Sequence, residues 1–331
     1  MITRQLGSSG PRVSALGLGC MGMSDLYGAA DRAESIATIQ AAVDAGITLV
    51  DTGDYYGMGH NELLIREALR DVPRDRVVLS VKFGALRSPD GTWLGFDGRP
   101  AAVKTALAYT LRRLGTDYVD VYRPGRVDPA VPIEDTVGAI AEMVAAGYVR
   151  QLGLSEASAE TVRRAHAVHP VADLQIEYSL LSRGIEQEIL PTLRELGIGL
   201  TAYGALSRGL LSGHWSHERS AGGRDLRSHL PRFSGENLER NLALVEELRA
   251  LATARGATVA QLAIAWVLAR GEDVVPLVGA RNRAQLHESL GALDVALGPD
   301  DLARIERAIP AGAAAGSRYD ARQMAMLDSE R

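Results

Sequence analysis

The chain of 331 residues is 46% hydrophobic and 23% charged, enough to bury one large α/β core or two smaller ones. A net charge of -5 with interspersed signs leaves no basic stripe for nucleic acid, and no apolar run is long enough to cross a bilayer, so small molecules are the expected partners. The polar start MITRQLGSSG lacks the charge and apolar stretch of a secretory signal, and the single cysteine, Cys20, permits no internal disulfide; both fit a reducing cytoplasm. Cys20 reads as a small buried hydrophobe, since no helix N-terminus or basic partner is evident beside it.

The opening RQLGSSGPRVSALGLG has the pattern of a β-hairpin, expected as a plug on a barrel floor. Apolar runs then recur at VSALGLG (13–19), ITLVDTG (47–53), VVLSVKFG (77–84), YVDVYRPG (118–125), VRQLGLSE (149–156), ADLQIEYS (172–179), GLTAYGAL (199–206) and VVPLVGA (274–280). Segments of helical period lie between them, such as 33–46 and 101–115, several closed by glycine. Eight evenly spaced βα units with near-continuous apolar strands predict a closed parallel (β/α)8 TIM barrel over residues 1–331, with extra loops and helix at the C-terminal end. The polar stretch from Ser212 to Asn241 reads as a long insertion after the seventh strand, either a solvated loop or a cover over the site.

Gly17-Leu-Gly19-Cys-Met-Gly22 matches the spacing of a dinucleotide fingerprint, but SDLYGAADR intervenes before any helical period begins. The glycines therefore mark close backbone approach at the top of the first strand. Asp51, Tyr56 and Lys82 fall at the ends of the second and third strands. A Lys inside an apolar strand needs a partner, and Asp51 on the neighbouring strand supplies one. A purely structural ion pair is the competing explanation. Tyr56 favours chemistry: a Lys ammonium nearby is expected to lower the phenol's pKa, making Tyr56 the acid, Lys82 its tuner and Asp51 the orienting group. His60 has no second ligand at a helical or turn spacing, so no metal is expected.

DTGDYYGMGHNE, the Lys82 strand, GLSEASAE, QIEYSL, AYGALSRGLLSG and VGARNRAQLHESLGAL together resemble the successive motifs of the aldo-keto reductases, over essentially the whole chain. The resemblance implies a (β/α)8 barrel that binds NADPH at the strand C-termini and reduces aldehydes or ketones. Asp51, Lys82 and Tyr56 then match three of four catalytic residues, Tyr56 being the proton donor. Ser155 and Gln175 match residues that bind the nicotinamide carboxamide, Glu156 stands where Asn is frequent, and Tyr203 matches the stacking ring. Ala205, Leu206, Ser207, Arg208, Gly209 and Leu211 resemble the pyrophosphate clamp. Gly19, Met21 and Gly279 complete the expected cofactor set. Arg281 and Gln285 match the 2′-phosphate site, favouring NADPH, and Ser289 replaces an Asn at the adenine edge.

The fourth catalytic residue of the resemblance is a His in a stretch like YYQHRVDP, and in that frame Gly125 takes its place. The expected pocket residues are Gly125, Arg126, Tyr55 and Trp93, with the tail GSRYDARQMAMLDSER over the rim. Three functions follow from this frame. The first is carbonyl reduction, with water or substrate filling the space of the imidazole. The second is reduction of an imine or a conjugated C=C bond. The third is an NADPH-binding regulatory subunit with little turnover, against which the retained Asp51, Tyr56 and Lys82 speak. Arg123 or Arg126 is a candidate for the missing positive charge. Oligomeric state stays open between monomer and homo-oligomer.

Overall fold

A computed structural model describes residues 1–24, 26–216 and 225–331. Strands β1 (Thr3–Gln5) and β2 (Arg12–Ser14) form the expected antiparallel hairpin. Eight parallel strands then close into a barrel: β3 (Gly17–Gly19), β4 (Leu49–Gly53), β5 (Val78–Phe83), β8 (Val119–Pro124), β9 (Val149–Ser155), β10 (Val171–Glu177), β11 (Gly199–Tyr203) and β12 (Val274–Gly279), the last pairing with β3. Between β5 and β8 lies a second hairpin of β6 (Ala85–Arg87) and β7 (Trp93–Phe96).

The first barrel strand is shorter than its apolar run. Residues 13 and 14 stay with the floor hairpin, and the barrel begins at Gly17, where a Cβ would lie 2.6 Å from Leu277 Cδ2 and 2.9 Å from Leu49 Cδ2. Only glycine lets the chain pass from the plug into the wall at that point. Leu6 and Val13 of the hairpin pack against Leu49, Val121, Val275 and Leu277, which closes the bottom of the barrel.

The helices are α1 (Arg32–Asp44), α2 (His60–Ala68), α3 (Pro100–Leu114), α4 (Ile133–Ala145), α5 (Ala159–Val168), α6 (Ile189–Leu196), α7 (Gly235–Thr253), α8 (Val259–Leu268), α9 (Arg283–Leu290), α10 (Pro299–Ala308) and α11 (Ala321–Met324). Their ends follow local chemistry. Asp31 caps α1, Thr258 and Gln261 form a capping box on α8, and Gly115 and Gly197 end α3 and α6 in the left-handed conformation. Every residue of β4 and β10 is buried, as strands covered on both faces require. Glycines 17, 19 and 22 lead into a short 3-10 turn at Met21–Met23, and α1 begins only at Arg32, so they form no dinucleotide turn.

The insertion differs from the expected Ser212–Asn241 loop. Residues 217–224 lie outside the described part, and α7 already begins at Gly235. Leu226 N donates to Leu26 O at 2.7 Å beside a Tyr27–Asp225 bridge, so this segment fastens to the loop after β3 and crosses the top of the barrel. Among the described residues no helix is long and apolar enough to cross a membrane.

Candidate active site

The C-terminal ends of the strands open into a cleft of about 420 Å³ that runs from Trp93 and Tyr55 at one end to Arg281, Gln285 and Ser289 at the other. At its base Lys82 Nζ lies 2.5 Å from Asp51 Oδ1 and 5.0 Å from the Tyr56 ring centroid. Adjacent strands produce this meeting: β4 and β5 align Asp51 with Ser80 and Gly53 with Lys82. Asp51 Oδ2 also accepts from Ser80 Oγ at 2.8 Å and from Gln175 Nε2 at 2.7 Å. Its two oxygens are thus committed to three donors, which fixes the carboxylate to neighbouring β5 and, across the barrel, to β10.

Tyr56 does not titrate as the sequence suggests. Burial raises its phenol well above the ordinary value, Tyr55 and Asp51 push it further, and the opposing influence is the Arg126 guanidinium. Lys82 is not among the main influences on it; burial lowers the Lys82 ammonium, with Asp51 pulling it back up. Burial thus keeps the Tyr56 phenol in its neutral form at neutral pH, and Arg126 is the cation that opposes the shift.

The polar chemistry continues beneath the cleft. Arg123 is fully buried, donating to Asp173 at 2.9 Å and to Ser80 Oγ at 3.0 Å, and Thr201 completes the set through Asp173. Arg123 thus belongs to the barrel interior and not to the substrate pocket. Arg126 does line the cleft; it donates to Gly125 O at 2.6 Å and to Tyr319 Oη at 3.2 Å, with no carboxylate at ion-pair distance among the described residues. Trp93, one of the expected pocket residues, lines it from β7.

The expected cofactor residues divide. Gly19, Met21, Ser155, Gln175 and Tyr203 line the cleft, as do Ala205, Leu206, Arg208 and Gly209, and then Gly279, Arg281, Gln285 and Ser289. Ser207 and Leu211 do not: both are buried, Ser207 accepting from Arg232 at 3.4 Å and Leu211 joining the apolar core. The backbone is left-handed at Ser207, Arg208 and Gly209, which breaks the regular alternation of side chains there. Glu156 also departs from its expected role. Its carboxylate is sealed beneath the C-terminal tail, accepting from Arg318, Tyr203 and Ser329.

Several residues fit a nicotinamide dinucleotide. Ser155 Oγ is buried without a hydrogen-bond partner at the cleft wall, an orphan that a carboxamide would satisfy. Gln175 spends its NH2 on Asp51 and keeps its amide oxygen as an acceptor. At the far end Arg281 is oriented by Tyr27 O at 2.6 Å and forms no ion pair among the described residues, which suits a phosphate. No group of three or more metal-ligating side chains occurs among the described residues.

Sequence reasoning missed the tail's fastening. Tyr319 Oη sits 3.1 Å from Tyr203 Oη, the Arg208 guanidinium lies 4.3 Å from the Tyr319 ring centre, and Tyr319, Gln323 and Leu327 reach the cleft. The only signal was the tail's resemblance to a rim segment. Nothing local in GSRYD points to Glu156.

Comparison with known proteins completes the description. The model of the Aldo/keto reductase family matches residues 15–310. A soybean (Glycine max) protein described as probable aldo-keto reductase 1 is 45% identical over 318 residues, covering 95% of this chain and 91% of its own. Among solved structures, a glycerol dehydrogenase of Gluconobacter oxydans superposes with a TM-score of 0.85 at 30% identity, over 92% of this chain and 94% of that one. A Bacillus halodurans aldo-keto reductase in its holo form gives 0.77 at 26% identity, over 94% and 97%.

Proposed function

Because the chain belongs to the aldo/keto reductase family, we propose that it is an NADPH-dependent reductase of aldehydes or ketones in which Tyr56 protonates the carbonyl oxygen, the whole chain acting as one catalytic unit. The observation that carries this reading is the buried Tyr56 phenol beside the Lys82–Asp51 pair at the base of the cleft. NADPH would supply the hydride; Ser155 and Gln175 would hold its carboxamide, Tyr203 its ring and Arg281 its 2′-phosphate. Tyr56 donates its proton as negative charge develops on the substrate oxygen, and Asp51 keeps Lys82 charged and in place. The tail residues Tyr319 and Leu327 cover the cleft and limit water.

Arg281 supports NADPH over NADH, since its guanidinium, held by Tyr27 O and without an ion pair among the described residues, offers charged donors to a phosphate that NADH lacks. The resemblance and the family support a small carbonyl substrate. The test is oxidation of NADPH, with NADH in parallel, against aromatic aldehydes, diketones, cyclic imines and enones. Turnover of the carbonyls supports the proposal. Turnover confined to imines or enones would move the function to C=N or C=C reduction, and tight NADPH binding without turnover would replace it with a regulatory role.

A further inference from the structure

Gly125 and Tyr55 fit one another. The backbone of Gly125 is not left-handed, so its conformation does not call for glycine. Space does. A Cβ at this position would lie 3.1 Å from both Cε1 and Oη of Tyr55 and 3.3 Å from Phe83 O. The backbone cannot withdraw, because Gly125 N donates to Phe83 O at 2.7 Å. The phenol can give way only by shifting its ring against Tyr56, at 4.9 Å, and Trp93, at 5.7 Å between centroids, both of which it meets edge to face. The space that the sequence suggested for water or substrate is filled by the side chain of Tyr55.

That side chain lines the cleft beside the proton donor. Apart from burial, Tyr55 is the strongest influence on the Tyr56 phenol, against whose ring its own packs edge to face. Burial also raises the Tyr55 phenol itself, while Arg126 opposes it, so Tyr55 keeps its proton and remains a neutral O–H donor.

We propose that Tyr55 is a second catalytic phenol, donating a hydrogen bond to the substrate's carbonyl oxygen next to Tyr56, and that Gly125 provides the space this phenol occupies. This inference rests on the reductase reading. As hydride and its electron pair reach the carbonyl carbon, the C=O π pair moves onto oxygen. Tyr56 gives its proton to that oxygen and is later reprotonated from solvent, while Tyr55 retains its proton and stabilises the charge as it develops. Two donors then converge on one oxygen.

The test compares Tyr55→Phe, Gly125→Ala and the double variant with the parent enzyme on an aromatic aldehyde. Tyr55→Phe keeps every ring contact, so its thermal midpoint and NADPH affinity should match the parent, while kcat falls about 100-fold, the loss seen when one oxyanion donor is removed. Gly125→Ala displaces the phenol and should lower kcat by at least about tenfold. Added to Tyr55→Phe it should cost clearly less than it costs the parent, because the hydroxyl it displaces is already gone and only the ring contact at Cε1 remains. A Tyr55→Phe variant with parental kcat, or additive losses in the double variant, would overturn the inference and leave the reductase reading intact. A parent that binds NADPH and reduces no carbonyl would overturn both.

Discussion

Glu156→Gln changes charge with almost no change in shape, and it tests whether the C-terminal tail is fastened electrostatically. The buried carboxylate accepts from Arg318 at 2.8 Å, from Tyr203 and Ser329 at 2.7 Å each, and from the amide of Glu177 at 3.1 Å. Burial alone would push this carboxyl up, but the Arg318 guanidinium and the surrounding donors outweigh it and hold it at about 2, against an ordinary 4.5. A carboxyl more acidic in the fold than in the unfolded chain stabilises the fold fully above its unfolded value, and that contribution is lost as pH falls toward 2. The difference is worth about 3 kcal/mol at neutral pH, and about half of that near pH 3. Breaking a buried ion pair by removing one partner gives a similar figure, ~3–5 kcal/mol, because the other charge stays buried. Arg318 retains Glu177 at 3.5 Å and Glu330 at 2.7 Å, which places the expected loss at the lower end. Urea unfolding of parent and variant at neutral pH and near pH 3 measures both quantities. A loss below about 1 kcal/mol at neutral pH, or one that does not shrink in acid, would refute the electrostatic fastening.

Tyr56→Phe should lower kcat by about 10²–10⁴-fold with NADPH affinity unchanged, since it removes the proton and keeps the ring; single-turnover rates and fluorescence titration check this. Because burial raises the Tyr56 phenol, the proton stays in place across neutral pH, and the rate of carbonyl reduction should be flat with pH until strongly alkaline conditions deprotonate the donor. A decline beginning near neutrality would show that another group supplies the proton. Lys82→Met strands the Asp51 carboxylate in the barrel with only Ser80 and Gln175 as donors, so it should cost about 3–5 kcal/mol of stability in urea unfolding as well as activity. Arg281→Ala should weaken NADPH binding by about 10–100-fold while leaving NADH nearly unaffected, the expected loss of a charge-assisted contact; equal effects on both would place the 2′-phosphate elsewhere.

The barrel was legible because its signal is local. Apolar runs recurring at eight places, with helical periods between them, specify which faces are buried, and parallel closure is the arrangement that buries them all. Asp51, Tyr56 and Lys82 could be placed at strand ends from the same pattern, and their pairing followed from the cost of burying an ammonium alone. Periodicity says which way a side chain faces but not what it meets across the barrel. Tyr55 fills the space above Gly125, Arg318 lies 162 residues from the Glu156 it binds, and Arg123 reaches Asp173 across 50 residues inside the wall. Trp93 and the orientation of Ser207 and Leu211 depended on a hairpin and a left-handed turn that composition does not announce. The proton affinity of Tyr56 was misread for the same reason: a pKa sums burial and every charge nearby, and here burial, with Tyr55 and Asp51, outweighs the one opposing cation, Arg126. Sequence by itself determined the barrel and the three ionisable groups at its mouth, because burial patterns and neighbouring strands are local properties; the partners of Tyr55, Gly125 and Glu156 were decided only when the closed barrel brought distant segments into contact.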